Sequence, residues 1–241
     1  MNVPSLSSGF ALLALVITAS TAGCAEPKVP PAPSPSSVRG GADPKTGEIR
    51  YLAIGDSITQ GIGSADFEAD AFPAKLAARW RAKGCIVELK NVGVAGYTAQ
   101  EMIATELPEI SPFRPTFITF QGGANDIAND VTQDKYRTNI RIILDAAKKS
   151  GARVVVLGQN EWWKSAEGPG YGGTRSKRDA YDAILFEETK ARGLELIDLR
   201  FLYRQHADKN LWAEDGIHPT AAAYDEVAAE LARVITVPCG K

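Results

Sequence analysis

The sequence predicts an α/β fold in which helices cover both faces of a five-stranded parallel sheet. Five short apolar segments alternate with amphipathic segments along the chain, which is the pattern of parallel strands joined by helices. Residues 154–157 are three valines and a leucine, as expected for a strand that is buried on both faces. With 241 residues, 44% of them hydrophobic and 23% charged, the chain can bury a full core.

Each strand is predicted where a short apolar or β-branched stretch is bounded by turn residues. The five predicted strands are 48–55, 86–89, 116–120, 154–157 and 194–199. Each helix is predicted where apolar residues recur at intervals of three and four. The predicted helices are 72–83, 99–110, 134–150, 174–192 and 221–234. Thr98 and Glu101 form a capping box before the second helix, and Gly84 and Gly151 end the first and third.

The amino-terminal residues have the composition of an export signal. Residues 10–19 form one apolar run that is followed by small residues, and a membrane-spanning helix needs about 20 apolar residues. We therefore expect residues 1–23 to be a removed signal peptide. The ending Thr-Ala-Gly-Cys resembles a bacterial lipobox, which implies lipidation of Cys24 and an envelope lipoprotein. The alternative is ordinary cleavage near the same small residues, which would release a secreted protein.

Residues 24–47 are rich in proline and contain few apolar side chains, so they are predicted to be a disordered linker or tether. The folded domain is then 48–241. The net charge of −2 and the absence of a long Lys/Arg run exclude a nucleic-acid partner held by phosphate contacts. Only 2 His and 3 Cys are present, which leaves little room for a metal centre. We expect a monomer that meets a membrane only through a lipid anchor.

Four short motifs fall at places where parallel strands end or where the last helix is about to begin. They are GDSIT at 55–59, NVGVAG at 91–96, GGAND at 122–126 and DGIHP at 215–219. In a parallel α/β sheet, the loops beyond the carboxyl ends of the strands converge and hold the chemistry. The four motifs are therefore expected to meet in one site.

The residue types in these motifs suit nucleophilic chemistry. Ser57 directly follows the first strand, and Asn125 offers an amide donor at the end of the third. Asp215 precedes His218 by three residues, a spacing that lets the carboxylate hold one ring nitrogen while the other faces a nucleophile. His206 lies in a polar stretch and is predicted to be a surface residue.

Together and in this order, the four motifs resemble those of the GDSL or SGNH hydrolase family. The resemblance covers nearly the whole domain and implies a flavodoxin-like three-layer α/β/α sandwich that acts as a serine esterase without a metal or organic cofactor. It implies that Ser57 is the nucleophile, His218 the general base and Asp215 its orienting partner. It also implies an oxyanion hole made by the backbone amides of Ser57 and Gly96 and the side-chain amide of Asn125.

We expect a small-molecule or glycan ester as substrate, with short acyl groups on a carbohydrate or cell-envelope component, because the sequence shows no apolar surface large enough for a long-chain lipase. The loop 159–173, after the fourth strand, carries Trp162, Trp163 and Tyr171 at the active-site edge. These aromatic side chains are expected to bind substrate or form a lid, or else to pack as a local core. Two other functions stay open, namely an acyltransferase that uses the same serine and a non-catalytic surface binding lipoprotein.

Cys85 and Cys239 are the cysteines that remain after Cys24, and an exported chain favours their pairing. In the implied flavodoxin-like sheet, the first and last helices lie side by side on the same face. Cys85 follows the first of these helices and Cys239 follows the last. We therefore predict a disulfide between them, at the sheet edge opposite the active site.

Overall fold

The fold was obtained as a computed structural model that describes residues 47–239. The expected signal peptide at 1–23 and the lipidation site at Cys24 lie outside this range. So does the predicted linker 24–47, apart from its last residue, Gly47. The described part of the chain contains no helix that is both long and apolar enough to cross a membrane.

The described residues form one sheet of five parallel strands, as the sequence predicted. The strands are β1 (Glu48–Gly55), β2 (Ile86–Asn91), β3 (Phe117–Gln121), β4 (Arg153–Leu157) and β5 (Glu195–Ile197). Their spatial order is β2-β1-β3-β4-β5, and every neighbouring pair is parallel. This is the flavodoxin-like order, whose ligands bind beyond the carboxyl ends of the strands.

Ten α-helices connect or flank these strands in the described part of the chain. They are α1 (Ser57–Gln60), α2 (Phe67–Asp70), α3 (Phe72–Ala82), α4 (Ala99–Thr105), α5 (Ile110–Phe113), α6 (Ala124–Ala128), α7 (Gln133–Lys149), α8 (Arg175–Ala191), α9 (Arg200–Asp208) and α10 (Ala221–Val234). Short 3₁₀ turns occupy Leu107–Glu109, Trp162–Lys164 and Gly168–Tyr171. Four of the five predicted helices are present as single helices, the one predicted over 99–110 is shorter than predicted, and the other five α-helices were not predicted.

The helix predicted over 99–110 is interrupted. The α-helix α4 ends at Thr105 and continues as the 3₁₀ turn Leu107–Glu109 before α5 begins. Pro108 lies inside that turn and has no backbone N–H to donate, so an uninterrupted α-helix would lose a hydrogen bond there. The predicted capping box is confirmed, since Oε2 of Glu101 accepts the N–H of Thr98 at 2.8 Å.

The prediction that His206 is a surface residue is wrong. The polar stretch that contains it folds as α9, which places Tyr203 and His206 on one inward face. Both side chains are buried, and Nε2 of His206 lies 2.9 Å from Oε2 of Glu226 on α10. Residues three apart share a face of a helix, and that periodicity, rather than the polar composition, decides the burial here.

Each face of the sheet has its own hydrophobic core. One core packs α3 and α10 side by side against the sheet, and Trp80 meets Phe117 edge-on there at 5.1 Å between ring centroids. The other core packs α4, α7 and α8 against the opposite face. The result is the predicted three-layer α/β/α sandwich.

The neighbouring positions of α3 and α10 bring the two cysteines together. Cys85 lies just before β2 and Cys239 beyond α10, and they form a disulfide with their Cα atoms 4.5 Å apart. The predicted disulfide is confirmed. Because strands point their amino ends towards this edge, the disulfide lies on the opposite side of the sheet from the loops that follow the strands.

Candidate active site

A cavity of about 200 Å³ opens at the carboxyl ends of β1, β3 and β4. Six of the residues predicted to act or to bind substrate line it, namely Ser57, Gly96, Asn125, Trp162, Tyr171 and His218. Residues from five separate parts of the chain therefore meet at one place. Asp215 and Trp163 do not line the cavity itself.

Ser57 is presented by a tight turn between β1 and α1. Oδ1 of Asp56 accepts the N–H of Ile58 at 3.0 Å and so caps the short helix that begins at Ser57. Gly55 has no room for a side chain, since a Cβ there would lie 2.3 Å from Oγ1 of Thr59 and 2.4 Å from the carbonyl oxygen of Gln121. The glycine before the turn thus lets β1 run close to its neighbours up to the serine.

The loop after β2 is held against α1. Oε1 of Gln60 accepts the N–H of Ala95 at 2.7 Å, and Nδ2 of Asn91 donates to the carbonyl of Thr59 at 2.7 Å. Gly96 follows with a φ of +84°, a backbone conformation that glycine adopts without strain. Gly96 lines the cavity, whereas Gly93 packs against Thr59.

Asn125 enters the cavity from the first turn of α6, after β3. Its Nδ2 donates to the carbonyl oxygen of Tyr97 at 2.9 Å, which fixes the orientation of the amide. An amide nitrogen carries two hydrogens, so one remains for a ligand in the cavity. The neighbouring Asp126 turns away and accepts the N–H of Ala99 at 2.9 Å, thereby joining α6 to the start of α4.

His218 is oriented by Asp215 within a single turn before α10. Nδ1 of His218 lies 2.7 Å from Oδ2 of Asp215. Burial by itself would raise the pKa of the Asp215 carboxyl. Hydrogen bonds from the backbone N–H groups of His218 and Ile217 and from the imidazole lower it by more, so the net effect is a lowered pKa. Asp215 is therefore an ionised acceptor at neutral pH. Among the described residues, no hydrogen bond yet joins the side chains of Ser57 and His218.

Three buried carboxyl groups lie beneath this site. Burial raises the pKa of Glu106 to about 8, that of Asp56 to about 7 and that of Asp126 to about 6. Oε2 of Glu106 accepts the N–H of Gly55 at 2.8 Å, immediately before the serine turn. No motif marks Glu106 in the sequence; the only available signal is an acidic residue next to the apolar face of α4.

The loop 159–173 is built around one of its two tryptophans. Trp162 is buried, packs into the core on its side of the sheet and also lines the cavity. A Cβ on Gly173 would lie 2.2 Å from the Trp162 ring, so the loop closes directly over the indole. Tyr171 is 54% exposed at the cavity. Trp162 therefore belongs to the local core as well as to the site.

A buried ionic network anchors the same loop to α8. Nη2 of Arg178 lies 2.7 Å from Oε1 of Glu161, and its Nη1 lies 2.9 Å from Oδ2 of Asp182. All three side chains are almost completely buried. The sequence does not reveal this network, because charged residues on a predicted amphipathic helix are usually solvated. Within residues 47–239, no three His, Cys, Asp or Glu side chains are grouped so that they could hold a metal ion.

Comparison with known proteins shows the family and the fold of this chain. Residues 53–226 match the model of the GDSL-like lipase/acylhydrolase family. No match was found among curated proteins. A solved structure of TesA is 22% identical, has a TM-score of 0.65 and aligns 77% of this chain with 97% of its own.

Two further solved structures show the same fold. A lipase/acylhydrolase from Enterococcus faecalis is 19% identical with a TM-score of 0.66, covering 80% of this chain and 100% of its own. Axe2, an acetylxylan esterase from Geobacillus stearothermophilus, is 19% identical with a TM-score of 0.65, covering 77% and 93%. The fold and the matched family define a carboxylic ester hydrolase of the SGNH type. This chain belongs to the GDSL-like lipase/acylhydrolase family.

Proposed function

We propose that this protein hydrolyses small acyl esters through an acyl-enzyme on Ser57, with His218 as the general base and Asp215 as its orienting partner. The observation that carries the proposal is that Ser57 and His218 line one cavity while Nδ1 of His218 lies 2.7 Å from Asp215. An ionised Asp215 holds the proton on Nδ1, so Nε2 is the nitrogen that accepts a proton.

In the first step, Oγ of Ser57 attacks the ester carbonyl carbon while its proton passes to Nε2 of His218. The carbonyl π electrons move to the oxygen, which becomes an oxyanion. The backbone N–H groups of Ser57 and Gly96 and the free N–H of Asn125 stabilise that charge. The carbonyl of Tyr97 holds the Asn125 amide in place beforehand, so little reorganisation is needed when the charge develops.

The intermediate then collapses. The bond to the alcohol oxygen breaks, the proton on His218 passes to the leaving alcohol, and the acyl group remains on Ser57. Water then attacks the acyl carbon while His218 accepts its proton. The bond from the acyl carbon to Oγ of Ser57 breaks, His218 returns the proton to Oγ, and the acid is released. The protons that move in the proposed reaction are carried by these two side chains, the leaving alcohol and water.

We propose short acyl esters of a carbohydrate or cell-envelope component as substrates. A cavity of about 200 Å³ suits a small acyl group better than a long lipid chain. Aromatic side chains of the loop 159–173 stand beside it, with Tyr171 exposed and Trp162 in the wall. Trp163 lies next to this wall without lining the cavity, so we assign it to the supporting loop. The likeness to the acetylxylan esterase Axe2 supports the same substrate class.

Hydrolysis of p-nitrophenyl acetate tests the proposal. The Ser57→Ala variant should lose activity by about 10⁴–10⁶-fold, with its circular dichroism and melting temperature unchanged. Full activity in that variant would refute the acyl-enzyme. Adding glycerol as an acceptor separates hydrolysis from transfer, because an acyltransferase would form glycerol acetate in preference to acetate. A non-catalytic binding protein would release no nitrophenol in any of these assays.

We also propose that residues 1–23 direct export, that Cys24 carries the lipid, and that 24–47 tether the domain 48–241 to the envelope. The apolar run and the small residues before Cys24 support this. Expression of the full chain in a bacterium tests it by mass spectrometry. A diacylated peptide beginning at Cys24 is expected, and Cys24→Ser should release the protein from the membrane fraction. An unmodified Cys24 peptide would contradict lipidation.

A further inference from the structure

The floor of the cavity carries three side-chain amides that the ester chemistry does not use. Gln121 ends β3, while Gln159 and Asn160 follow β4; their exposed fractions are 2%, 2% and 3%. All three residues line the cavity. The carbonyl oxygens of these side chains have no hydrogen-bond partner among the described residues. Buried acceptors without a donor are unfavourable, so a ligand that brings hydrogen-bond donors would satisfy them.

The protein fixes which side of the two glutamine amides is left for a ligand. Nε2 of Gln121 donates to the carbonyl of Gly158 and to the hydroxyl of Tyr203, both at 3.1 Å. Nε2 of Gln159 donates to Oδ1 of Asp182 at 3.1 Å. A backbone carbonyl and a carboxylate can only accept, so each amide nitrogen must face inward. The oxygen of each glutamine is therefore the atom that has no partner among the described residues.

The cavity lining contains both acceptors and a donor of hydrogen bonds, so it suits a group that can donate and accept hydrogen bonds. Nε1 of Trp162, whose side chain lines the same cavity, is a buried donor without a partner among the described residues. A hydroxyl group donates to an amide oxygen and accepts from an indole N–H, whereas an alkyl chain does neither. The carboxylate of Asp182, which accepts from Gln159, is also paired with Arg178 at 2.9 Å. The site thus has no unpaired charge there that would select a cation.

Of the three amides, Asn160 contacts the turn that carries His218. Nδ2 of Asn160 donates to the carbonyl of Ile217 at 3.5 Å, next to His218 in the chain. In the proposed mechanism, His218 protonates the leaving alcohol, so the alcohol lies beside the imidazole. We propose that Gln121, Gln159 and Asn160 bind hydroxyl groups of the alcohol part of the ester, and that the substrate is a partly acylated polyol such as a sugar. This inference rests on the proposed ester hydrolysis.

Glycerol monoacetate and propyl acetate form a matched pair of probes, because they share the acyl group and a three-carbon alcohol and differ in two hydroxyls. The wild-type protein should show a kcat/KM at least about tenfold higher for glycerol monoacetate. Gln159→Met should lower kcat/KM for glycerol monoacetate about 5- to 20-fold, chiefly through KM, and change that for propyl acetate less than about twofold. Gln205→Met, on the exposed face of α9, is the matched control and should change neither.

Asn160→Leu provides a second variant, since its amide makes only one long hydrogen bond to the protein. The ratio of kcat/KM between the two esters can be measured on the wild-type protein alone. Equal kcat/KM for both esters in the wild type, or parallel losses on both in the variants, would overturn the inference and leave ester hydrolysis intact. If the wild type hydrolysed neither these esters nor p-nitrophenyl acetate, the proposed function would fail, and this inference with it.

Discussion

Nδ1 of His218 lies 2.7 Å from Oδ2 of Asp215, and the other oxygen of that carboxylate accepts the backbone N–H groups of Ile217 and His218 at 2.9 and 3.0 Å. Three hydrogen bonds within one turn therefore hold the carboxylate. The hydrogen bonds that orient the imidazole therefore all lie within four consecutive residues.

Replacing Asp215 by Asn tests what this relationship contributes. An Asn keeps one oxygen for the two backbone N–H groups but loses the negative charge that holds the proton on Nδ1. We expect kcat for p-nitrophenyl acetate to fall about 10²–10⁴-fold while the melting temperature stays within a few degrees. Glu214→Gln, at the exposed neighbouring position, is the control and should keep full activity. An unchanged kcat in Asp215→Asn would show that the pair has no catalytic role.

Glu106 should make stability depend on pH. Burial raises its pKa from 4.5 to about 8, so between these values the native state keeps a proton that the unfolded chain releases. The free energy of unfolding should therefore fall as the pH rises from about 4.5 to about 8. Glu106→Gln keeps an oxygen for the N–H of Gly55 and carries no proton that titrates. The free energy of unfolding of this variant should therefore change less with pH.

Urea unfolding at several pH values across that window measures the slope. Glu88→Gln removes an exposed carboxylate on β2 and serves as the control, with the wild-type slope expected. The same slope in Glu106→Gln as in the wild type would mean that the Glu106 carboxyl does not cause the pH dependence of stability.

The disulfide between Cys85 and Cys239 should matter for stability and not for activity. It joins residues 154 positions apart, and such a link typically contributes about 2–4 kcal/mol by restricting the unfolded chain. The double variant Cys85→Ser/Cys239→Ser should lose about that much in urea unfolding. Its kcat should stay unchanged because the link lies at the sheet edge opposite the cavity. Equal stability of the two proteins, or a lost kcat, would contradict this.

Removing Arg178 should be strongly destabilising. Arg178→Met would leave the buried carboxylates of Glu161 and Asp182 without their partner, which typically costs about 3–5 kcal/mol. Arg175→Met, at an arginine that is 61% exposed on the same helix, should cost far less. Similar urea midpoints for the two variants would show that the network is not required for stability.

The strands and the candidate site were the most predictable parts of this protein. Ser57, Gly96, Asn125 and His218 each lie in a short motif at a strand end or before a helix, and the topology of a parallel sheet brings such loops together. Motifs that are local in the sequence therefore predicted which distant residues meet in the cavity. The disulfide followed from the same topology, since it depends only on which helices are neighbours.

The parts that escaped prediction depend on which side chains face each other across elements. His206 lies on the inward face of α9 with Glu226 of α10 as its partner, and Arg178 is buried with Glu161 as its partner, from the loop after β4. The hydrogen bonds of the Gln121 and Gln159 amides could not be predicted for the same reason. Nothing in the local sequence reveals that an amide nitrogen will be hydrogen-bonded inside the protein while its oxygen is left without a partner.

Site-specific labelling by a fluorophosphonate tests the central claim most directly, because this reagent phosphonylates a serine only when a base activates it and amides stabilise the oxyanion. After tryptic digestion and fragmentation of the labelled peptide, the wild-type protein should carry one label, on Ser57 and not on Ser64 of the same peptide. His218→Ala should label far more slowly. An unlabelled protein, or a label on a serine elsewhere in the chain, would contradict the account.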